Sequence, residues 1–153
     1  MTIVKTYGRL WADDLDRVLP LLREMVGAEP DLRFAFDGVE LAAIGDLLVV
    51  AGPPRERAKY AHASATVIVS DLDEQVRALE RHGAEITTAM GTSATGRFLY
   101  ARHAGGPEVE YVEWVPELVE RIAGGAIVKT CGSRVLGSCG WSLVTGSFDE
   151  FAA

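Results

Sequence analysis

One stretch near the start of the chain has the hydrophobic spacing of an amphipathic helix. Its hydrophobic residues are Leu15, Val18, Leu19, Leu22, Met25 and Val26. At this spacing they lie on one helical face. Asp14 or Asp16 is a suitable N-cap, and Gly27 is a suitable left-handed end. Pro20 lies inside the stretch and predicts a late start or a kink, because proline removes a helical hydrogen bond.

A second stretch repeats this pattern about 57 residues later. Leu72, Val76 and Leu79 form its hydrophobic face, Asp71 is the candidate N-cap and Gly83 the candidate end. Both stretches begin with Asp-Leu-Asp and end with Gly-Ala-Glu. A repeat of this length predicts two copies of one supersecondary unit.

Each predicted helix is preceded by one strand-like run and followed by three. The runs cover residues 3–11, 32–36, 39–44 and 47–50 in the first copy, and 65–69, 85–88, 98–102 and 109–114 in the second. Asp37-Gly38 and Gly45-Asp46 are hairpin signals, and residues 91–98 read as a hairpin loop. Residues 52–59 read as a linker. The order predicts an α+β fold of two βαβββ modules, about 1–54 and 60–116, in a domain over 1–123.

Composition narrows the class of protein. The chain has 153 residues, of which 48% are hydrophobic and 24% charged, and this balance is typical of one folded domain. Its net charge is −7, without a basic stripe, which argues against a nucleic-acid partner. No run is long and apolar enough for a membrane span or a signal peptide. We therefore expect a cytoplasmic protein without a membrane partner.

Several short motifs in this order resemble the vicinal oxygen chelate superfamily, which includes glyoxalases, bleomycin-resistance proteins and extradiol dioxygenases. The residues that carry the resemblance are Asp14-Leu15-Asp16-Arg17, Asp71-Leu72-Asp73, Gly96-Arg97 and Gly105-Gly106-Pro107-Glu108-Val109-Glu110-Tyr111. The resemblance implies a cup-shaped, partly closed β-sheet with the helices outside and a ligand or metal inside. It also implies a homodimer. Members include lyases, dioxygenases, epimerases, transferases and metal-free proteins that sequester antibiotics.

The resemblance also implies where a metal would bind, namely on the first and last strands of the two modules. The first-strand positions fall on Tyr7 and Ser64, which are unusual ligands. Glu110 matches the last-strand position of the second module, and residues 47–51 offer no ligand. His62 replaces Ser64 only if the strand register slips by two. Glu110 and His62 are thus the candidate metal ligands, and the alternative for Glu110 is a salt bridge to Arg97 or Arg33.

The candidate ligand-binding residues are aromatic, basic or polar side chains on strands that form the cup, where they could stack on or clamp a ligand. They are Tyr7, Arg33, Phe34, His62, Arg97, Tyr100, Glu110 and Trp114. The alternative is that the aromatic residues are core and the arginines sit at strand ends. His103 is expected in an exposed loop, and His82 at a helix end.

Residues 124–153 form a Gly/Ser-rich tail outside the pattern. Ile127-Val128-Lys129-Thr130 repeats Ile3-Val4-Lys5-Thr6, and both cysteines, Cys131 and Cys139, lie there. The repeat is either a short strand that adds to a sheet edge or a chance match.

The incomplete ligand set favours one function, a small-molecule binding protein of the bleomycin-resistance type that sequesters a drug or metabolite. We expect a small apolar or aromatic ligand, no resident cofactor and a homodimer. The alternative is a metal-dependent lyase, isomerase or dioxygenase that uses Glu110, His62 and Tyr7 with a divalent metal. Whether the protein is an enzyme stays open at this level.

Overall fold

The structure is a computed structural model, and it describes residues 1–124. Eight strands account for nearly half of the described chain: β1 (Ile3–Ala12), β2 (Leu32–Phe36), β3 (Val39–Ile44), β4 (Leu47–Ala51), β5 (Ala63–Val69), β6 (Glu85–Ser93), β7 (Gly96–Arg102) and β8 (Glu108–Trp114). The helices are α1 (Leu15–Val26), α2 (Pro54–Arg57), α3 (Leu72–Arg81) and α4 (Pro116–Leu118), which continues as a π-helical turn, Val119–Ala123.

All eight strands belong to one curled sheet in the order β2-β3-β4-β1-β5-β8-β7-β6. The sheet has two halves, β1–β4 with α1 and β5–β8 with α3, and each half has the order strand, helix and three strands. The halves meet where β1 pairs with β5 in antiparallel fashion. Within each half the first strand runs parallel to the last, β1 to β4 and β5 to β8. The predicted α+β class with a cup-shaped sheet is confirmed.

The two long helices cover the convex face of the sheet. Leu15, Leu19 and Leu22 of α1 pack against β3 and β4, and α3 packs against β7 and β8 in the same way. The Asp14 carboxylate accepts a hydrogen bond from the backbone N–H of Asp16 at 2.7 Å, so Asp14 is the N-cap. The late start expected from Pro20 is wrong, because α1 begins at Leu15 and runs through Pro20.

Two connections are more ordered than the sequence suggests. The predicted linker contains α2, whose first residue, Pro54, has the fixed φ that suits a helix start. The predicted hairpin loop over 91–98 is shorter than expected, because β6 extends to Ser93 and β7 starts at Gly96. The turn itself is only Ala94 and Thr95.

The concave face of the sheet, here called the cup, has its own hydrophobic cluster. The cluster is formed by Tyr7, Val39, Ala43, Leu48, Val50, Ile68, Val112 and Trp114. Leu118, Val119 and Ile122 pack against it from the last described turns. The C-terminal turns therefore cover part of the cup.

None of the helices within residues 1–124 is long and apolar enough to cross a membrane. The tail repeat at 127–130 and both cysteines, Cys131 and Cys139, lie outside the described residues.

Candidate functional site

The cup holds a cavity of about 60 Å³ between its two halves. Hydrophobic and aromatic side chains make most of its wall, with a few polar groups among them. The lining residues are Tyr7, Leu32, Phe34, Phe36, Leu41, Ala43, Leu48, Thr66, Ile68, Ser93, Thr95, Phe98, Glu110, Val112 and Trp114. A concave, mostly apolar pocket with few polar groups is the usual form of a small-molecule site.

Glu110 is the carboxylate in this wall, and an arginine holds it. Arg9 Nη2 lies 2.5 Å from Glu110 Oε2, and the hydroxyl of Thr66 donates to the same oxygen at 2.7 Å. The Arg9 side chain is 2% exposed and that of Glu110 is 15% exposed. Oε1 of Glu110 receives no hydrogen bond from residues 1–124 and remains free to contact a ligand.

Every nitrogen of the Arg9 guanidinium has a partner. Nε donates to Thr66 Oγ1 at 3.0 Å, and Nη1 donates to the Tyr60 carbonyl at 3.2 Å. Nη2 donates to the Tyr100 hydroxyl at 3.1 Å besides its bond to Glu110. Burial disfavours the charge on Arg9, but Glu110 and Tyr100 outweigh burial and raise the pKa of Arg9 above its usual value. Arg9 is a fully bonded, permanently charged group.

Arg9 and Thr66 are equivalent positions of the internal repeat, since they are separated by the same 57 residues as Asp14 and Asp71. Arg9 pairs with Leu48 across β1 and β4, and Thr66 pairs with Glu110 across β5 and β8. The first and last strands of both halves thus bring four side chains together at the centre of the sheet, and Glu110 is the only carboxylate among these four. The first-strand positions expected from the resemblance, Tyr7 and Ser64, are therefore each off by two residues, and Ser64 is exposed.

Tyr7, which lines the same cavity, has a buried hydroxyl. Tyr7 is 2% exposed, and its hydroxyl oxygen finds no hydrogen-bond partner among residues 1–124. Burial, and then the charges of Asp31 and Asp46, raise the pKa of Tyr7, so the hydroxyl keeps its proton. A buried donor without a partner is costly, and a ligand acceptor would satisfy it.

The other aromatic candidates also face the cup. Phe34 and Trp114 line the main cavity, and the Trp114 ring lies 6.1 Å from that of Tyr7. Tyr100 lines a smaller adjoining cavity of about 30 Å³ together with Arg9 and Glu110. Burial and then the Glu110 charge raise the pKa of Tyr100.

His62 lies at the rim of the cup and not beside Glu110. Its ring packs on Tyr100 with 5.3 Å between centroids, and its Nε2 lies 3.4 Å from Glu108 Oε1. Glu108 is further held by Arg102 and Thr87. The structure therefore does not place His62 and Glu110 where both could bind the same metal ion.

Arg33 and Arg97 point away from the cavity. Arg33 bonds to Asp16 at 2.8 Å on the convex side, and Arg97 bonds to Asp73 and Glu113. Neither arginine contacts Glu110, so the expected salt bridge from one of them is wrong. The ion pair is made by Arg9.

His103 was expected to be an exposed loop residue, but its ring contacts Tyr111. Its Nε2 lies 2.7 Å from the Tyr111 hydroxyl, and the two rings stack at 6.1 Å. Tyr111 faces the helices, because it belongs to the cluster around α3. His103 thus has a structural contact on the convex side, outside the cup.

A divalent metal does not fit the residues around Glu110. Within residues 1–124 no three His, Cys, Asp or Glu side chains are grouped so that they could hold an ion. The neighbours of Glu110 are an arginine and two hydroxyl groups, from Thr66 and Tyr100. A metal site needs several anionic or imidazole ligands that converge.

Sequence reasoning missed Arg9 and Thr66. The signal was present in two parts: the repeat makes residues 9 and 66 equivalent, and alternation along β1 puts Arg9 on the same face as Tyr7. Together they indicate that Arg9 and Thr66 share the face of Tyr7, but not the strand register that brings both beside Glu110.

Comparison with solved structures gives the relatives of this fold. An uncharacterised protein from Methanosarcina mazei is 34% identical, with a TM-score of 0.71, over 75% of this chain and 95% of that chain. The chain belongs to the same family as that protein. No family model matches the chain, and no curated protein matches it by sequence.

The fold of this family is also that of methylmalonyl-CoA epimerase, a member of the vicinal oxygen chelate superfamily. The enzyme from Mycobacterium tuberculosis is 19% identical, with a TM-score of 0.63, over 76% of this chain and 92% of that chain. A Streptomyces coelicolor epimerase variant in complex with 2-nitronate-propionyl-CoA is 16% identical, with a TM-score of 0.59, over 75% and 97%. At these identities the likeness concerns the fold.

Proposed function

We propose that the cup binds a small, largely apolar molecule that carries a hydrogen-bond acceptor. The observation that carries this proposal is the buried Tyr7 hydroxyl, which lacks a partner among residues 1–124 and belongs to a residue that lines an apolar cavity. A carbonyl oxygen would accept its hydrogen bond, and the aromatic wall around Phe34 and Phe98 would contact the rest of the molecule.

The proposal predicts opposite effects of Tyr7→Phe on stability and on binding. Removing an unpartnered buried hydroxyl should raise the free energy of unfolding by about 1 kcal/mol. The same change should weaken binding of an aromatic ketone such as acetophenone by roughly threefold to tenfold. Urea unfolding and isothermal titration calorimetry measure the two quantities.

Tyr111→Phe is the matched control, because the Tyr111 hydroxyl is bonded to His103 on the convex side. It should lower the free energy of unfolding by about 1 kcal/mol and leave ketone binding unchanged. If Tyr7→Phe destabilises the protein as Tyr111→Phe does, the Tyr7 hydroxyl has a partner in the free protein and the proposal fails.

For activity we propose an isomerase within the vicinal oxygen chelate superfamily. Several of the fold neighbours are epimerases, which favours an enzyme over a purely sequestering protein. Glu110 and Tyr7 border one cavity and supply an acceptor and a donor of protons. The Glu110 carboxylate would take the proton from the carbon next to a carbonyl, and the Tyr7 hydroxyl would bond to the resulting enolate oxygen. A water molecule would then protonate the opposite face of the planar enolate, which inverts the carbon, and Glu110 would release its proton to solvent.

Hydrogen exchange tests this activity. Acetophenone, the small ketone used in the binding test, should gain deuterium at its α-carbon when it is incubated with the protein in D₂O. Glu110→Gln should slow the exchange by roughly 100-fold or more, measured by mass spectrometry. Glu40→Gln, on the exposed side of β3, is the control and should keep the wild-type rate.

A second candidate is sequestration of an apolar compound without chemistry. The observation in its favour is that Arg9 already neutralises Glu110, which leaves the cup without a free charge at that point. Ketone binding combined with no α-deuteration by wild-type protein would favour sequestration and contradict the isomerase proposal.

A further inference from the structure

We infer that the Arg9 guanidinium is a built-in cation that takes the place of a metal ion at the centre of the cup. Glu110 lies on a last strand, where the metal-dependent members of the fold would have a ligand. In this chain its carboxylate binds a side chain of the same protein. The inference concerns how the site is held together, and it does not depend on which ligand the cup binds.

The symmetry of the sheet supports this position for the cation. The repeat-equivalent residues on the two first strands are Arg9 and Thr66, and their partners on the two last strands are Leu48 and Glu110. Arg9 reaches across from the first half and bonds to both residues of the second half. A single cationic group thus joins the two modules at the point where four ligands would otherwise converge.

The chemistry of the four positions excludes a second cation there. Leu48 offers no ligand atom, and Thr66 already accepts from Arg9 Nε and donates to Glu110. Any ion bound to Glu110 Oε2 would compete with a guanidinium 2.5 Å away, whose side chain is 2% exposed. Like charges at such distances repel strongly where water is excluded. Arg9 therefore both neutralises the carboxylate and blocks a metal.

Cobalt binding tests the inference, because Co²⁺ in a site of few protein ligands has a visible absorption spectrum. Wild-type protein and Thr66→His should retain no Co²⁺ after gel filtration, since both keep the blocking guanidinium. The double variant Arg9→His/Thr66→His should retain roughly one Co²⁺ per chain, held by two imidazoles and Glu110, because three protein ligands make an open site. Circular dichroism checks that each variant is folded.

Two results would overturn the inference. The first is stoichiometric Co²⁺ or Mn²⁺ in wild-type protein that Glu110→Gln abolishes, and this measurement requires no engineered site. The second is cobalt binding by Thr66→His as tight as that of the double variant, because Arg9 would then not block the position. Neither result bears on ketone binding or α-deuteration, so failure here is separate from failure of the proposed function.

Discussion

Gly96→Ala is expected to lower the free energy of unfolding by about 4 kcal/mol or more, among the largest effects of any single substitution. Gly96 has a φ of +141°, which only glycine adopts readily. A Cβ there would also lie far inside van der Waals contact with the backbone carbonyl oxygen of Glu113. Gly96 pairs with Trp114 in the β7–β8 ladder, so the clash cannot relax without separating two strands of the cup.

Gly83→Ala is the matched control for this prediction. Gly83 has a φ of +70° at the end of α3, but a Cβ there would meet no atom within 4 Å. The expected cost is about 1–2 kcal/mol, from backbone conformation alone. Urea unfolding of both variants separates strain from steric clash. Equal costs would mean that the strands move apart easily at Gly96, contrary to the tight packing of this hairpin.

The fold follows from local signals that act over a few residues. The strand boundaries 32–36 and 39–44 agree with the structure because a hairpin turn, Asp37-Gly38, fixes the end of one strand and the start of the next. The N-cap aspartates of the repeat, Asp14 and Asp71, fix the first residues of α1 and α3 in the same way. Such signals lie within one module, and a single sequence shows them without knowledge of tertiary contacts.

The site could be predicted only in part, because its contacts join residues far apart in the chain. Arg9 and Glu110 are separated by 101 positions, and their meeting depends on the register of β1, β5 and β8 together. Alternation does impose one limit: neighbours on a strand face opposite sides, so Arg33 and Phe34 cannot both line the cup. The structure puts Phe34 inside and Arg33 outside.

The same rule explains the placement of Arg97. Phe98 lines the cavity, so Arg97 beside it faces α3 and bonds to Asp73. The expectation that both predicted arginines clamp the ligand treated strand residues as if they shared one face. The arginine that does enter the cup is at position 9, two residues after the inward-facing Tyr7.

Arg9→Met should lower the free energy of unfolding by about 3 kcal/mol, because it leaves the partly buried Glu110 carboxylate without its cation. Glu110→Leu should have a similar cost, since the buried guanidinium would then lack its anion. The double variant should recover much of the loss, because two apolar groups of similar volume can replace a buried ion pair at little cost. A urea-unfolding double-mutant cycle gives the coupling free energy between the two residues.

Arg33→Met is the control, because it makes the same change at the exposed pair of Arg33 and Asp16, whose side chains are 41% and 75% exposed. Exposed ion pairs are screened by water and add little to stability, so this variant should remain close to wild type. If Arg9→Met costs no more than Arg33→Met, water already screens the Arg9 pair, and a cation at this point would not hold the two modules together. A large loss in the free energy of unfolding that is coupled between Arg9 and Glu110 would instead mean that Arg9 joins the two modules as a bound metal ion would.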